Sequence, residues 1–423
     1  EFGIKYDNAH QTFAVFSIIN SMLDSVGKVS NKPIPSLEDI EKYKADGEEE
    51  EQCKKIIRRG VKESGSMEKF HKEMKDAYKQ YDIMLRYNLN VKYDQRAELV
   101  GDDYSNSYER FYGNNDVAGP NADHGSHVAG IIGANRNNSI GINGVANNVR
   151  IMGIRVVPEG DERDKDVANG IRYAVDNGAR VINMSFGKGF NWDKVVVDSA
   201  VKYAEQKGVL LVHAAGNDNQ DNDVEENFPN KYYVSPEATA YKKANKRKVQ
   251  DVLLPLLNQT QAQGNGMGRN IPVKDLKIGI DTLKFKLPHA TNWIEVGASA
   301  YKNDASLKAS FSNYGKYTVD VFAPGFMINS TVPDSKYEEF DGTSMAAPVV
   351  SGLAALILSY YPEFKAKDIR EIIMKSAVKV QQKVRRENKR GETERVAFKE
   401  LCISGGIANA YEALKLAATY KAH

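Results

Sequence analysis

The chain has 423 residues, 41% hydrophobic and 27% charged, a balance that fits a globular protein with one large α/β domain and insertions. A net charge of +2 carries no signal for nucleic acid or for an acidic membrane surface. Cys53 and Cys402 are far apart, fit no metal-ligand spacing and define no disulfide framework, and no apolar run reaches the roughly 18 residues of a membrane span. The chain opens Glu1-Phe2-Gly3, with neither an initiating Met nor a signal-peptide pattern, as a processed, truncated or cloned start would.

Residues 1–97 read as a helical, charged segment. Residues 13–26 are apolar enough for a short helix, and residues 31–36, with Pro33 and Pro35, read as a loop. Beyond a run dense in Lys and Glu, Met67, Phe70, Met74, Tyr78, Tyr81 and Leu85 recur at three- and four-residue spacing. That spacing predicts an amphipathic helix, with Ser66 as its N-cap. A docking arm and an insertion with a solvated charged face both fit, and no chemistry is visible there.

Residues 98–423 read as a second domain. Residues 100–120 are polar and rich in turn formers, and a helix opens at Asp123-His-Gly-Ser-His-Val-Ala-Gly130. From there apolar strands alternate with amphipathic helices. Strands are expected at residues 150–157, 180–185 and 209–214, and helices at 166–177 and 193–207. This alternation argues for a parallel sheet with helices on both faces, with ligands bound outside the strand C-termini. Residues 231–289 interrupt the pattern with a basic run (241–248), an apolar patch (252–257), a Gly/Asn-rich turn (264–270) and a period-two stretch at Leu283, Phe285 and Leu287. Strands resume at 292–297 and 319–325. A helix is expected at 366–377, a charged loop at 381–395 and a closing helix within 405–414.

The stretch Asp341-Gly-Thr-Ser-Met-Ala-Ala-Pro348 opens an apolar run of helical length. Ser344 then lies near a helix N-terminus, where free N–H groups and the helix dipole favour negative charge. Pro348 is expected to sit in the first turn, which has no N–H partners to lose. A tetrahedral acyl-transfer intermediate carries such a charge on its oxyanion. Taken alone, the stretch is also a plain helix cap.

With the His124 stretch and Val212-His-Ala-Ala-Gly-Asn-Asp218, this stretch resembles the subtilisin-like serine proteases in sequence, spacing and order. The resemblance covers roughly residues 98–420 apart from 231–289. It implies a three-layer α/β/α fold with a mainly parallel central sheet, and a serine endopeptidase. By resemblance Ser344 is the nucleophile, His124 the general base, and the Asn217 amide with the Ser344 N–H the oxyanion hole. Ser185, Phe186 and Gly187 would line the pocket for the residue before the cleaved bond and pair with substrate as an added strand. His127 and His213 read as structural. Residues 135–143 resemble the family's calcium loop, with Asn138 giving a side-chain ligand and Ile140 and Ile142 carbonyls; a plain loop fits equally. No cofactor is implied for catalysis. The implied partner is a peptide or protein substrate, with no nucleic acid, in a monomer that is secreted, periplasmic or at the cell surface.

One departure stands out. The family's aspartate precedes the histidine at the end of an apolar strand, in Asp-Thr-Gly or Asp-Ser-Gly, and neither tripeptide occurs upstream of His124. Asp7, Asp102, Asp103 and Asp123 lack that setting. Three accounts fit: a chain that begins after that strand, a degenerate protease, or a substitute carboxylate. A chain with the strand cut away would be a crippled enzyme, with an unpaired sheet edge and poor solubility. The alternatives to hydrolysis are a catalytically dead protein that binds extended peptides and a peptide ligase or cyclase.

Overall fold

In a computed structural model, residues 2–158, 160–240, 286–387 and 393–422 are described. The basic run, apolar patch, Gly/Asn-rich turn, Leu283 and Phe285 of the interruption lie outside them. The chain divides into two compact units, residues 1–101 and 102–423.

The first unit is helical: α1 (Phe2–Ser30), α2 (Leu37–Lys42), α3 (Glu48–Ser64), α4 (Met67–Ile83) and the short α5 (Arg96–Leu99). The apolar stretch at 13–26 is thus the middle of a longer helix. Ser66 caps α4 by accepting from the Lys69 N–H, as its spacing predicts. Ile19, Met22, Leu23 and Val26 of α1 pack with Ile57 and Val61 of α3 and with Met67 and Phe70 of α4. The Lys/Glu-rich faces stay in solvent, so amphipathicity alone accounts for this small core.

The second unit carries α6 (Asp123–Gly133), α7 (Asp164–Asp176), β1 (Val181–Met184), α8 (Lys194–Gln206), β2 (Leu210–Ala214), β3 (Trp293–Ser299) and β4 (Val321–Pro324). A hairpin of β5 (Ile328–Val332) and β6 (Lys336–Phe340) precedes α9 (Thr343–Tyr360) and α10 (Ala366–Ser376). Then come β7 (Val378–Lys379), β8 (Lys383–Glu387), β9 (Thr393–Ala397), β10 (Gly406–Ile407) and α11 (Ala410–Ala417). The main sheet runs β1-β2-β3-β4-β10-β7, parallel except at β10–β7.

The period of two shows directly in the core. Leu210, Val212 and Ala214 of β2 and Ile294, Val296 and Ala298 of β3 face α9 and α10. Leu211 and Trp293 face α7 and α8 on the other side. This is the three-layer α/β/α arrangement that the alternation of elements implies. Each fully buried aliphatic side chain contributes about 1.5–3 kcal/mol. A buried ionic centre sits beneath β3 and β4: Asp320 meets Lys231 at 3.1 Å and Arg370 at 2.6 Å. Burial alone would raise the Asp320 pKa, but the two cations outweigh it and hold it below the ordinary carboxylate value.

Four expectations need correction. Residues 150–157 form no strand: they have no backbone pairing among the described residues, and Ile151, Met152 and Val157 are exposed. Apolar composition marks a strand only when a neighbour supplies the ladder. The charged loop at 381–395 is instead a hairpin, β8 against β9, with Val384 buried beside Phe398 and Leu401. One helix, α9, does have the length and apolarity of a membrane span, at 18 residues. Its apolarity is explained by burial, since Met345, Ala346, Ala347, Val350, Leu353, Ala354 and Ile357 lie inside the unit. Pro348 falls in the second turn of α9, not the first.

Candidate active site

Ser344 is the second residue of α9, after Gly342 as N-cap. Its hydroxyl donates to the Ser185 carbonyl at 3.2 Å, and the Ser185 hydroxyl donates to the Ser344 carbonyl at 2.8 Å. The second bond follows from Pro348. A residue four positions after Ser344 would normally donate its N–H to that carbonyl, and proline has none. Ser185 supplies the missing donor and so ties the end of β1 to the serine helix. Asn183 orients Ser185 through Nδ2 at 2.9 Å, and its Oδ1 accepts from Ser351 of α9 at 2.8 Å.

Asn217 follows β2, whose fully buried path fixes where the chain emerges. Its Oδ1 accepts from the Thr343 N–H and the Thr343 hydroxyl, each at 2.9 Å. The Thr343 hydroxyl in turn accepts from the Gly216 N–H at 3.1 Å. With Oδ1 engaged, Nδ2 points the other way. A Cβ placed on Gly342 would lie 3.5 Å from both Asn217 Nδ2 and the Ser344 amide nitrogen. The Asn217 amide nitrogen and the Ser344 backbone nitrogen thus both lie near one point beside Gly342.

Two further residues hold this arrangement. Thr343 was visible only as part of Gly-Thr-Ser. Asn313 is the second: its Oδ1 accepts from the Asp218 and Gln220 N–H groups at 2.9 Å, and its Nδ2 donates to Ala215 and Asn222. Such long-range bracing has no local pattern. Of the expected pocket wall, Gly187 lies against Asn227, since a Cβ there would come 2.8 Å from Asn227 Oδ1. Phe186 is half-buried against the α7–α8 cluster, edge-on to His213 at 6.4 Å.

His124 occupies the first turn of α6 and is exposed. The protein packed around its inner side lowers its pKa below the ordinary imidazole value, and His127 acts in the same direction. Among the described residues no hydrogen bond or ion pair joins it to Ser344 or to a carboxylate. Asp123 is exposed beside it in the same turn. Asp102 is buried in an ion pair with Lys165 at 2.6 Å, and Asp103 accepts from Ser105. His127 is fully buried, stacked on Phe340 at 4.3 Å, with Nε2 3.0 Å from the Glu338 carbonyl. His213 is buried against Glu295 and Trp293.

The loop expected to bind calcium is an Asx turn, in which Asn138 Oδ1 accepts from the Ile140 N–H at 3.1 Å. Asn138, Ile140 and Ile142 offer three oxygens, one already engaged, where calcium takes six to eight. Among the described residues no cluster of three His, Cys, Asp or Glu completes a metal site. These residues by themselves do not fit the ion.

Comparison with known proteins places this geometry in a family. The model of the subtilase family, peptidase group S8, matches residues 60–396. The chain belongs to that family of subtilisin-like serine proteases. The thermophilic serine proteinase of Bacillus sp. strain AK1 is 34% identical over 237 residues, which are 56% of this chain and 42% of the relative. Subtilisin E of Bacillus subtilis is 31% identical over 258 residues, 60% of this chain and 50% of the relative. Thermitase of Thermoactinomyces vulgaris is 34% identical over 258 residues, 61% of this chain and 68% of the relative. The chain spans about half the length of most of these relatives. A cold-adapted subtilisin-like serine proteinase of known structure is 28% identical and covers 64% of this chain and 73% of its own, with a TM-score of 0.41.

Proposed function

We propose that this chain is a serine endopeptidase that hydrolyses peptide bonds through an acyl-enzyme on Ser344, with His124 as general base. The observation that supports it best is that the nitrogens of the Asn217 amide and of the Ser344 backbone both lie 3.5 Å from one point beside Gly342, at the start of the helix that carries Ser344. In this reading Ser344 Oγ leaves the Ser185 carbonyl and attacks the peptide carbonyl while His124 takes its proton. The two donors hold the oxyanion, and His124 returns the proton to the leaving amine. Water then hydrolyses the acyl-enzyme by the same route. Ser185, Phe186 and Gly187 form the wall along which the peptide lies. The protein acts outside the cytoplasm, by resemblance to its family.

The isolation of His124 from any carboxylate among the described residues favours a second reading, a protein that binds extended peptides and turns them over slowly or not at all. No observation favours a ligase. Hydrolysis of a fluorogenic peptide, with Ser344→Ala as control, separates the two readings. Turnover that disappears in the variant upholds the protease. Peptide binding without turnover, equal in both, overturns it.

A further inference from the structure

A cleft opens in the second unit between the start of α7, the start of α8 and the chain around Phe228. It measures about 270 Å³, part of it open to solvent. Val167 of α7, Val197 of α8, Phe228 and Pro229 give it apolar sides. Glu162 also lines it. This residue is 3% exposed, and its Oε1 has no hydrogen-bond partner among the described residues. A buried carboxyl without a donor is rare, because burial removes the water that would otherwise solvate it. Burial pushes the Glu162 pKa above the ordinary carboxylate value, and Lys188 and His213 only reduce that rise.

The cations already at the cleft are committed elsewhere. Lys188 Nζ pairs with Asp164 at 2.7 Å and donates to the Glu162 main-chain carbonyl at 2.6 Å. Lys194 Nζ pairs with Asp198 at 2.6 Å and donates to the Tyr232 carbonyl at 2.5 Å. Asp164 is equally occupied, since its Oδ1 meets Lys188 and its Oδ2 accepts from the Trp192 and Asp193 N–H groups at 2.6 Å. Of the two acids that line the cleft, Glu162 is the one that keeps an oxygen without a donor among the described residues. Asn191 also lines the cleft, and its sequence neighbours Phe190 and Trp192 are 66% and 83% exposed. Aromatic faces beside an acid suit a cation, which the rings attract as the carboxylate does.

The cleft adjoins the wall along which the peptide lies in the protease reading. Lys188 follows Gly187, and its N–H and carbonyl bond the carbonyl and N–H of Phe228, each at 2.9 Å. Asn227, next to Phe228, meets Gly187. The two segments that shape the wall, residues 187–188 and 227–228, therefore also bound the cleft. The Ser344 hydroxyl bonds the Ser185 carbonyl, three residues before Lys188 in the chain. At an extended rise, that places the cleft about 10 Å from the nucleophile along the wall.

Building on the protease reading, we propose that this cleft takes a lysine or arginine side chain of the substrate, about two to four residues before the cleaved bond, and so makes the enzyme selective for a basic residue there. The methylene stem lies along Val167, Val197, Phe228 and Pro229, and the charged head meets Glu162 Oε1. An apolar side chain of the same length would cover the same walls but leave the carboxyl buried without a donor.

The test uses the whole chain and fluorogenic peptides that carry lysine, or norleucine as its uncharged counterpart, at each of those positions in turn. At one position lysine is expected to exceed norleucine in kcat/KM by about 10- to 100-fold, and Glu162→Gln to bring that ratio close to unity. The ratio in the unaltered chain stands whether or not the variant folds. A ratio near unity there, or a lysine preference that survives in a folded Glu162→Gln, overturns the proposal. A preference for norleucine assigns the cleft to apolar side chains and also overturns it. If no peptide is cleaved, the protease reading fails, and binding of the same sequences labelled with fluorescein reads the cleft by itself. Tighter binding of the lysine peptide, lost in Glu162→Gln, then upholds the cationic site, and equal binding of the lysine and norleucine peptides overturns it.

Discussion

The two sides of the sheet differ sharply. From β2 to β4 every strand is paired on both edges and almost every residue is buried. Thr343, Asn217 and Asn313 hang from that side and are joined by hydrogen bonds through the Gly216 backbone, while Ser344 bonds to Ser185 at the end of β1. On the other side β1 pairs with β2 alone, residues 150–157 make no backbone hydrogen bond among the described residues, and Ile151, Met152 and Val157 are exposed. The bracing of Asn217 and Thr343 comes from the side of the sheet whose core is complete.

Several changes would break or sharpen this contrast. The largest effect is expected at Ser344→Ala, which removes the nucleophile and should abolish fluorophosphonate labelling altogether, as read by intact mass. On the complete side, Asp320→Ala leaves Lys231 buried without its anion and should cost about 3–5 kcal/mol in a denaturant melt. The same carboxyl sets an acid limit. Its folded pKa lies below the unfolded value, so its contribution is present above about pH 4 and is lost as pH falls through the folded value. Asp320→Asn should flatten the fall of Tm in that range.

Asn217→Leu should slow acylation by about 10²–10³, the magnitude for such a donor, and should also lower Tm, because the Thr343 N–H and hydroxyl lose their acceptor. A pair of isoleucines then compares the two sides directly. Ile294→Ala in β3 is expected to cost about 2–5 kcal/mol, while Ile154→Ala on the open side should cost less than about 1 kcal/mol. Equal costs would mean that residues 150–157 are buried in solution. Smallest of all, calcium chelation should leave Tm nearly unchanged, because Asn138 and its neighbours offer too few oxygens.

Much of this was legible in the sequence, because the site motifs are local. A histidine, an asparagine and a serine each sit at the end of a strand or the start of a helix, where the chain direction alone fixes them. The alternation of elements announced the parallel sheet. What failed to read was whatever depends on a distant partner. Residues 150–157 carry a strand's composition but no ladder. Residues 381–395 look like a charged loop, yet pair because Val384 reaches a buried cluster. Pro348 looked harmless at a helix start, and its true position explains why Ser185 bonds the serine helix. The bracing that Asn313 gives became visible only once distant segments were folded together.

The contrast reduces to the state of one imidazole. An NMR titration of His124 in this chain tests it most directly. The account predicts a pKa below the ordinary value of about 6.5, lowered by the surrounding protein and unsupported by any anion. A pKa above about 7 would mean that a carboxylate already stands against the ring, and would contradict the central claim.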